Sequence, residues 1–215
     1  MTGDFTLPIA FDLAATALFA LSGALQAIRK GYDVAGLTLL ALVAGVGGGL
    51  LRDGIFLQAG PPAVVQDDRY LWAVGAAAAV GYWFGGALEE RIAGLFLLVD
   101  ALGLGAYAVV GAHKSLAAGL LLPAAVLVGV VNAVGGGMLR DVLSGTEPDV
   151  LKPGGYYALA AFAGAVLYGL LATLKVPGVP AATAGIALTF ALRILSVRLG
   201  WRTRSAPGRL RRPQD

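Results

Sequence analysis

Seven long apolar runs, separated by short polar segments, restrict the fold of this chain more than any other feature. Each run has close to 20 residues or more, and about 20 are needed for a helix to cross a bilayer. Only 13% of the 215 residues are charged, and the mean hydropathy is +0.78. The pattern predicts an all-α integral membrane protein with seven transmembrane helices. The runs are Pro8 to Ile28, Val34 to Leu57, Tyr70 to Leu88, Ile92 to Ala112, Ser115 to Leu143, Tyr156 to Leu174 and Ala181 to Leu199.

The composition argues against an enzyme. The chain has no cysteine and a single histidine, His113, which excludes disulfide frameworks and thiolate chemistry and disfavours a transition-metal centre. No serine motif accompanies His113, and Arg52-Asp53-Gly54 lacks the paired carboxylates of a metal-dependent transferase. We therefore expect neither enzymatic activity nor a resident cofactor.

The net charge of +3 comes from the C-terminal end of the chain. Residues before Arg193 carry a net charge of −3, whereas seven arginines and one aspartate follow from that position onward. Basic residues after a hydrophobic helix are typical of a cytoplasmic flank that attracts anionic lipids. No groove-reading element accompanies them, so we expect membrane lipids, not nucleic acid, as partners. The arginines are Arg193, Arg198, Arg202, Arg204, Arg209, Arg211 and Arg212.

The basic residues also predict the orientation of the chain. With seven spans the two ends lie on opposite sides, so a cytoplasmic tail places the N-terminus outside. The first run lacks a preceding basic segment and is expected to be retained rather than cleaved. His113, beside Lys114, is interpreted as an interfacial loop residue. Loop residues predicted to lie inside are Arg29, Lys30, Arg91 and Lys152; those predicted to lie outside are Arg69, Lys114 and Lys175.

An internal repeat with an offset of 88 residues relates the first three runs to the next three. The offset places Asp12 on Asp100, and after a slip of two residues it places Tyr70 on Tyr156. Three spans in each copy would insert the second copy in the opposite orientation. We therefore expect a three-helix repeat at 1–90, an inverted repeat at 91–177, a seventh helix at 178–200 and an arginine-rich tail at 201–215.

The middle run of each repeat carries the same seven-residue pattern of three glycines, two apolar residues and an Arg-Asp pair. Each glycine costs about 1 kcal/mol relative to alanine inside a helix. Duplication at equivalent positions favours a bent or unwound element that lines a pore or binding site. Close helix packing at small residues remains the alternative. The patterns are Gly47, Gly48, Gly49, Arg52 and Asp53, and Gly135, Gly136, Gly137, Arg140 and Asp141.

The buried charges in these patterns need partners, because charged side chains inside a membrane are costly. Neighbouring residues on a helix point about 100° apart, so neither arginine is expected to pair with the aspartate that follows it. We expect pairing across the repeats or with Asp12 and Asp100, which would form a polar conduit together with Asn132. The alternatives are arginines that extend to the headgroups and an Asp12 that caps its helix.

With this duplicated pattern and a plan of three, three and one helices, residues 5 to 200 resemble the prokaryotic trimeric intracellular cation channels. The resemblance implies a homotrimer in a prokaryotic inner membrane, with a pore in each protomer bounded by kinked second and fifth helices. It also implies potassium as the permeant ion, with sodium as a second candidate, and bound lipid as a candidate partner. Carried over by position, the hinges would be the two glycine triplets, with the Arg-Asp pairs near the pore.

Proteins with this duplicated domain are also described as glycine transporters, so a second function stays open. A secondary transporter would bind a small solute such as glycine between broken helices and alternate its access. A channel would replace part of an ion's hydration with carbonyl and carboxylate oxygens. An arginine in each pattern suits either function, as a gate or as a ligand for a carboxylate.

Overall fold

The computed structural model describes residues 7–85, 92–152 and 156–203. Within these ranges the chain is all-helical, with eight α-helices, one π-helix and one 3-10 helix. The π-helix, Arg52–Leu57, continues directly from α2, and the 3-10 helix covers Asp149–Leu151. The α-helices are α1 Ala10–Arg29, α2 Val34–Leu51, α3 Ala63–Gln66, α4 Arg69–Phe84, α5 Ile92–Ala117, α6 Leu122–Leu143, α7 Tyr157–Thr173 and α8 Gly178–Arg198.

The long helices pack as two groups of three. Helices α1, α2 and α4 contact one another, as do α5, α6 and α7, and α8 packs against α5 and α7. The groups meet where α1 contacts α5 and where α2 contacts α6. The core at these contacts is rich in alanine, such as Ala24 and Ala41 in the first group and Ala108 and Ala161 in the second. Small residues let helices approach closely, which is how helices associate where no water is expelled.

Five of the described helices are long and apolar enough to cross a membrane: α1, α2 with its π-helical extension, α5, α6 and α8. Helix α7 is apolar but has only 17 residues. Helix α4 has 16 residues and ends next to 86–91, where part of the third predicted span lies outside the described residues. The prediction of an all-helical membrane protein is therefore confirmed for the described chain.

The predicted boundary between the fourth and fifth spans is wrong. Helix α5 continues to Ala117, and α6 begins only at Leu122. Gly119 adopts a φ of +86°, a conformation that glycine tolerates and that ends helices, and Pro123 lies in the first turn of α6. These two residues are the sequence signals for the true boundary. As a result, His113 and Lys114 are helical residues and not part of a loop.

The glycine triplets do not unwind, contrary to the sequence-based expectation. Helix α2 runs through its triplet to Leu51, and α6 runs through its own to Leu143. The irregular segment begins after the first triplet, where the chain becomes π-helical at Arg52 and ends with Gln58 in the left-handed region. Close packing offsets the conformational cost of the glycines, so the backbone keeps its helical hydrogen bonds.

The glycines are placed where α2 and α6 touch, in a reciprocal arrangement. A side chain on Gly48 would overlap the carbonyl oxygen of Asn132, and one on Gly136 would overlap the carbonyl oxygen of Ala44. Gly47 and Gly135 likewise face leucines on the opposite helix. The four contacts match in pairs at the 88-residue offset of the repeat. This geometry supports close helix packing at the triplets, while bending at them stays a prediction.

Candidate functional site

Two arginines are the largest fully buried side chains of the described structure. Arg52 and Arg140 are each 1% exposed and follow the glycine triplets of α2 and α6. An arginine cannot lose its charge in a protein, so each must be neutralised where it lies. The groups that do so define two clusters, which we name the Arg52 site and the Arg140 site.

The Arg52 site contains the two carboxylates of Asp12 and Asp53. The Nε atom of Arg52 donates to Asp53 Oδ1 at 2.6 Å, and its Nη1 atom lies 3.6 Å from Asp12 Oδ1. Asp53 also accepts a hydrogen bond of 3.1 Å from the backbone N–H of Ala63, the first residue of α3. This bond ties the start of α3 to the carboxylate that holds the arginine.

Asp12 has two further donors at the Arg52 site. The Nζ atom of Lys114, on α5, lies 2.5 Å from Asp12 Oδ2, and the hydroxyl of Tyr70, on α4, donates to the same oxygen at 2.6 Å. Asp12 is therefore shared by an arginine, a lysine and a tyrosine from three helices. Such sharing identifies it as more than a helix-capping residue.

A cavity of about 360 Å³ opens beside Asp12. A smaller space of about 10 Å³, close to the size of one water molecule, follows beyond it and is lined by Arg52, Thr16 and Tyr107. Asp12 and Tyr70 line both spaces. Both spaces therefore border Asp12 of the Arg52 site. Polar residues that line the larger cavity are Asp12, Gln66, Asp67, Tyr70, His113 and Lys114.

The Arg140 site has the same two carboxylate positions in a tighter arrangement. The Nη1 atom of Arg140 donates to Asp100 Oδ1 at 2.6 Å and to the hydroxyl of Ser22 at 2.9 Å. Its Nη2 atom lies 2.8 Å from Asp141 Oδ1, and its guanidinium carbon is 4.7 Å from the ring centre of Phe96. Both carboxylates and the arginine are buried. Ser22 belongs to α1, so this site joins the two helix groups.

The expectation that each arginine would not pair with the aspartate after it is wrong at both sites. The backbone directions of adjacent helical residues do diverge, but the long arginine side chain folds back over its neighbour. The charge partners are therefore local aspartates together with Asp12 or Asp100. Ser22 supplies a contact between the repeats, but it is a hydroxyl and not a charge.

The two sites lie at different levels along the same pair of helices. Helix α1 carries Asp12 at the Arg52 site and Ser22 ten residues later at the Arg140 site, about 15 Å further along at the rise of an α-helix. Helix α5 carries Asp100 at the Arg140 site and Lys114 at the Arg52 site. The two helices thus connect the same two sites while running in opposite directions.

Sequence reasoning missed three tyrosines and a lysine in these clusters. Tyr157, not Tyr156, is the buried counterpart of Tyr70, and its hydroxyl donates to Asp100 Oδ1 at 3.4 Å. Tyr107 shares a hydrogen bond of 2.8 Å with Thr16 and donates to the carbonyl of Gly45. The sequence alignment of the two repeats shifted by two residues here, which paired Tyr70 with Tyr156. A shift of one residue, an offset of 87, pairs Tyr70 with Tyr157.

Asn132 lies between helices α5 and α6. Its amide donates to the carbonyl of Tyr107 at 2.7 Å, which fixes α6 against α5. His113, predicted in a loop, lies on α5 with Nδ1 2.6 Å from the Tyr168 hydroxyl, while its Nε2 accepts from the backbone N–H of Leu7. In the cavity lining, the hydrogen bonds from the Arg69 side chain lower the pKa of the partly exposed Asp67 carboxyl.

The predicted arginine tail divides into two parts. Arg193 is buried on α8, 3.2 Å from Asp149, and is not a tail residue. Arg198 and Arg202 are exposed at the end of α8, and the arginines from 204 onward lie outside the described residues. Arg193 was counted with the basic C-terminal end although it falls inside the predicted seventh helix at 178–200, and spacing alone cannot show that this helix buries one face there.

Comparisons with known proteins agree with the duplication. A family model described as glycine transporter matches residues 9–85 and again residues 97–173. A UPF0126 membrane protein of Deinococcus radiodurans is 37% identical over 190 residues, covering 87% of this chain and 86% of the relative. The UPF0126 inner membrane protein YadS of Escherichia coli is 31% identical over 188 residues, covering 87% and 90%.

A solved structure gives the same result for the fold. The trimeric intracellular cation channel orthologue from Rhodobacter sphaeroides superposes with a TM-score of 0.81 at 35% identity. The similarity covers 86% of this chain and 94% of that one. At this coverage the similarity extends over parts of both helix groups.

Proposed function

This chain belongs to the trimeric intracellular cation channel family, and from this premise we propose that it is a cation channel of a prokaryotic inner membrane. The observation that carries the proposal is the position of Asp12. This carboxylate lies where an open cavity of about 360 Å³ meets the buried Arg52 site. A negative group at the inner end of a narrowing aqueous space concentrates cations there.

The proposed path runs between the two sites along α1 and α5. A cation would enter the cavity, exchange water for oxygens of Asp12 and Tyr70, and continue toward the Arg140 site past the contact of α2 with α6. At this contact the glycines pack against the backbone carbonyls of Ala44 and Asn132, which a cation would reach only after α2 and α6 move apart. The two glycine triplets would then act as hinges on which the path widens.

Lys114 gives this path a closed state. Its ammonium group lies 2.5 Å from Asp12, at the position that a permeating cation would take. At the other end, Arg140 is held by two carboxylates and by Ser22. We assign the structure to a closed channel, with one positively charged side chain obstructing the path at each end.

We take three further points of the proposal from the family resemblance. They are selectivity for potassium, one pore in each protomer and assembly as a homotrimer. The Rhodobacter sphaeroides protein is described as a trimeric cation channel. No resident cofactor is proposed; potassium, with sodium as the second candidate, would be in transit, and lipids would surround the assembly.

Seven crossings and an inverted second repeat are also part of the proposal. The antiparallel course of α1 and α5 between the same sites supports inversion, as do the reciprocal glycine contacts of α2 and α6. The proposed topology places the N-terminus, the cavity and the Arg52 site outside. The Arg140 site and the arginine-rich tail then face the cytoplasm.

A secondary transporter of a small solute such as glycine is the second candidate. The observation that favours it is the pair of closed sites at opposite ends of one path, since alternating access opens one end at a time. In that mechanism Arg52 would bind the carboxylate of the solute. The two functions differ in rate and in what crosses the membrane.

The test is single-channel recording of the purified protein in planar bilayers under a potassium gradient. We expect discrete cation currents, and we expect Asp12→Asn to reduce them about tenfold because the attracting charge is lost. Asp68→Asn is the matched control. It removes the same charge from an exposed position at the same end of the molecule, outside the cavity lining, and should leave the current unchanged.

Parallel liposome uptake separates the two candidates. Potassium flux without uptake of labelled glycine supports the channel. Glycine uptake at carrier rates, in the absence of discrete currents, would replace the channel with the transporter. Equal currents from Asp12→Asn and the unchanged protein would remove Asp12 from the path.

A further inference from the structure

Arg193 on α8 lies outside both groups of three helices, yet it contacts the surroundings of the Arg140 site. Its Nη2 atom is 3.2 Å from Asp149 Oδ2, and its guanidinium carbon is 4.8 Å from the ring centre of Tyr157. The side chain is only 7% exposed. A buried arginine on an apolar helix is costly, so its contacts point to a role beyond anchoring the helix.

Each of these two contacts leads to one carboxylate of the Arg140 site. The backbone N–H of Asp149 donates to Asp141 Oδ2 at 3.4 Å, and the hydroxyl of Tyr157 donates to Asp100 Oδ1 at 3.4 Å. Asp100 and Asp141 are the carboxylates that hold Arg140. Arg193 is thus connected to Arg140 by two separate routes, each through one residue and one carboxylate.

The Arg52 site has equivalents of the two hydrogen bonds to the carboxylates, but it differs in what lies behind the donors. The backbone N–H of Ala63 donates to Asp53 as that of Asp149 does to Asp141, and Tyr70 donates to Asp12 as Tyr157 does to Asp100. Ala63, however, has no carboxylate that could bind an arginine from another helix. The contact from α8 therefore distinguishes the Arg140 site from the Arg52 site.

We propose that Arg193 is a positioning residue that holds Asp149 and Tyr157 against the carboxylates of Arg140 and so keeps the Arg140 site closed. The proposal rests on the channel function proposed above. Loss of Arg193 would free Asp149 and Tyr157. The carboxylates that they contact would then release Arg140 more often. Because Arg193 contacts the partners of the site and not Arg140 itself, the frequency of opening should change while the current through an open channel should not.

Thiol accessibility tests the proposal without requiring conduction. The chain has no cysteine, so a single introduced cysteine reports on its own site. Ser144→Cys places the reporter in the Arg140 site, where Ser144 is 3% exposed and bonds to the carbonyl of Asp141. Thr16→Cys places it in the Arg52 site, where Thr16 is 1% exposed. The rate of reaction with a water-soluble methanethiosulfonate is measured for each.

Arg193→Gln is combined with each reporter cysteine in turn, with Arg198→Gln as the matched control. Arg198 is an exposed arginine on the same helix, so the control removes the same charge without the contacts. We expect Arg193→Gln to accelerate labelling of Ser144→Cys about fivefold and to leave Thr16→Cys unchanged. Arg198→Gln should change neither rate. Arg193→Lys keeps the charge without the planar fork and should restore part of the protection.

Asp149→Asn tests the same connection from its other end. Asp149 is 42% exposed, so this variant is expected to fold even if Arg193→Gln does not. It should accelerate the same reporter, and adding it to Arg193→Gln should change the rate little, because Arg193→Gln already releases Asp149. Unchanged labelling of Ser144→Cys in Asp149→Asn, or equal acceleration of both reporters in Arg193→Gln, overturns the proposal.

Single-channel recording then separates this proposal from the channel function. For Arg193→Gln we expect an open probability about fivefold higher at unchanged unitary conductance. A lower unitary conductance would mean that Arg193 acts on the path itself, which contradicts the proposal. If the unchanged protein carries no current, the channel function fails, whereas the labelling result still decides whether α8 holds the Arg140 site closed.

Discussion

The Arg52 site and the Arg140 site begin from one sequence pattern and reach different surroundings. Arg140 lies 2.6 Å from Asp100, whereas Arg52 lies 3.6 Å from Asp12. The difference follows from competition, because Asp12 also binds Lys114 and Tyr70. A repeated motif therefore sets the local Arg-Asp pair, while side chains from other helices decide how firmly the arginine is held.

The same competition decides which site meets water. The donors on Asp12 come from helices that surround a cavity, and this cavity reaches the Arg52 site. Arg140 is instead packed against Phe96, and its partner Asp100 accepts a hydrogen bond from Tyr157, with Arg193 on the other side of Tyr157. One site is thus arranged for exchange of cationic partners and the other for a fixed set. Four predictions test this difference.

The largest effect is expected from Arg140→Gln. The variant leaves Asp100 and Asp141 buried without their cation, which should lower the free energy of unfolding by about 3–5 kcal/mol. Arg52→Gln should cost less, because Lys114 still neutralises Asp12. Denaturant titration of the detergent-solubilised protein measures both. Equal losses would show that the two arginines are held alike.

The next effect concerns a feature that the two halves share. Gly48→Ala and Gly136→Ala should each lower the free energy of unfolding by about 1–3 kcal/mol, because each new methyl group meets a carbonyl oxygen of the opposite helix. Gly54→Ala, with open space around it, is the control and should be nearly neutral. The same titration compares them. A large loss at only one of the two glycines would contradict the reciprocal contact.

Lys114→Gln tests the exchangeable partner of the Arg52 site. Removal of the ammonium group leaves Asp12 free for a permeating cation, so potassium flux into liposomes should rise about tenfold. Lys175→Gln removes an exposed lysine before α8 and serves as the control. Flux that is unchanged or lower in Lys114→Gln would show that this lysine does not obstruct the path.

The smallest effect compares the two tyrosines. Tyr70→Phe removes a hydrogen bond of 2.6 Å to Asp12 and should cost about 1 kcal/mol of unfolding free energy. Tyr157→Phe removes a longer bond of 3.4 Å to Asp100 and should cost less. Thermal unfolding ranks the two. A larger loss of unfolding free energy for Tyr157→Phe would mean that the hydroxyl contact matters more at the Arg140 site than at the Arg52 site.

The sequence predicted the all-helical membrane fold from its composition, and the two charged patterns from their spacing. It misplaced features whose position changes within about one helical turn, namely which of two adjacent tyrosines is buried and where a helix ends. Tyr157 was missed in favour of Tyr156, since adjacent residues look equivalent until one of them is buried. The end of α5 was also missed, although Gly119 and Pro123 mark it.

The chemistry around the arginines was harder to predict. Adjacent Arg-Asp pairing was rejected on helix geometry, yet it occurs at both sites because the side chain is long enough to fold back. Lys114 was assigned to a loop, so its contact with Asp12 was invisible from the sequence. The contacts of Arg193 were also hidden, because its partners Asp149 and Tyr157 lie on segments distant in the chain.

Sequence alone was enough to predict a helical membrane protein with two copies of one charged motif, because hydropathy and repetition can be read along the chain without knowing which residues meet in space. Only the tertiary structure decided that the copies differ. Asp12 shares its charge with Lys114 beside a cavity, whereas Asp100 holds Arg140 within packed helices. The physical reason is that a buried charge takes its state from every group within a few ångströms, and these groups come from helices far apart in the sequence.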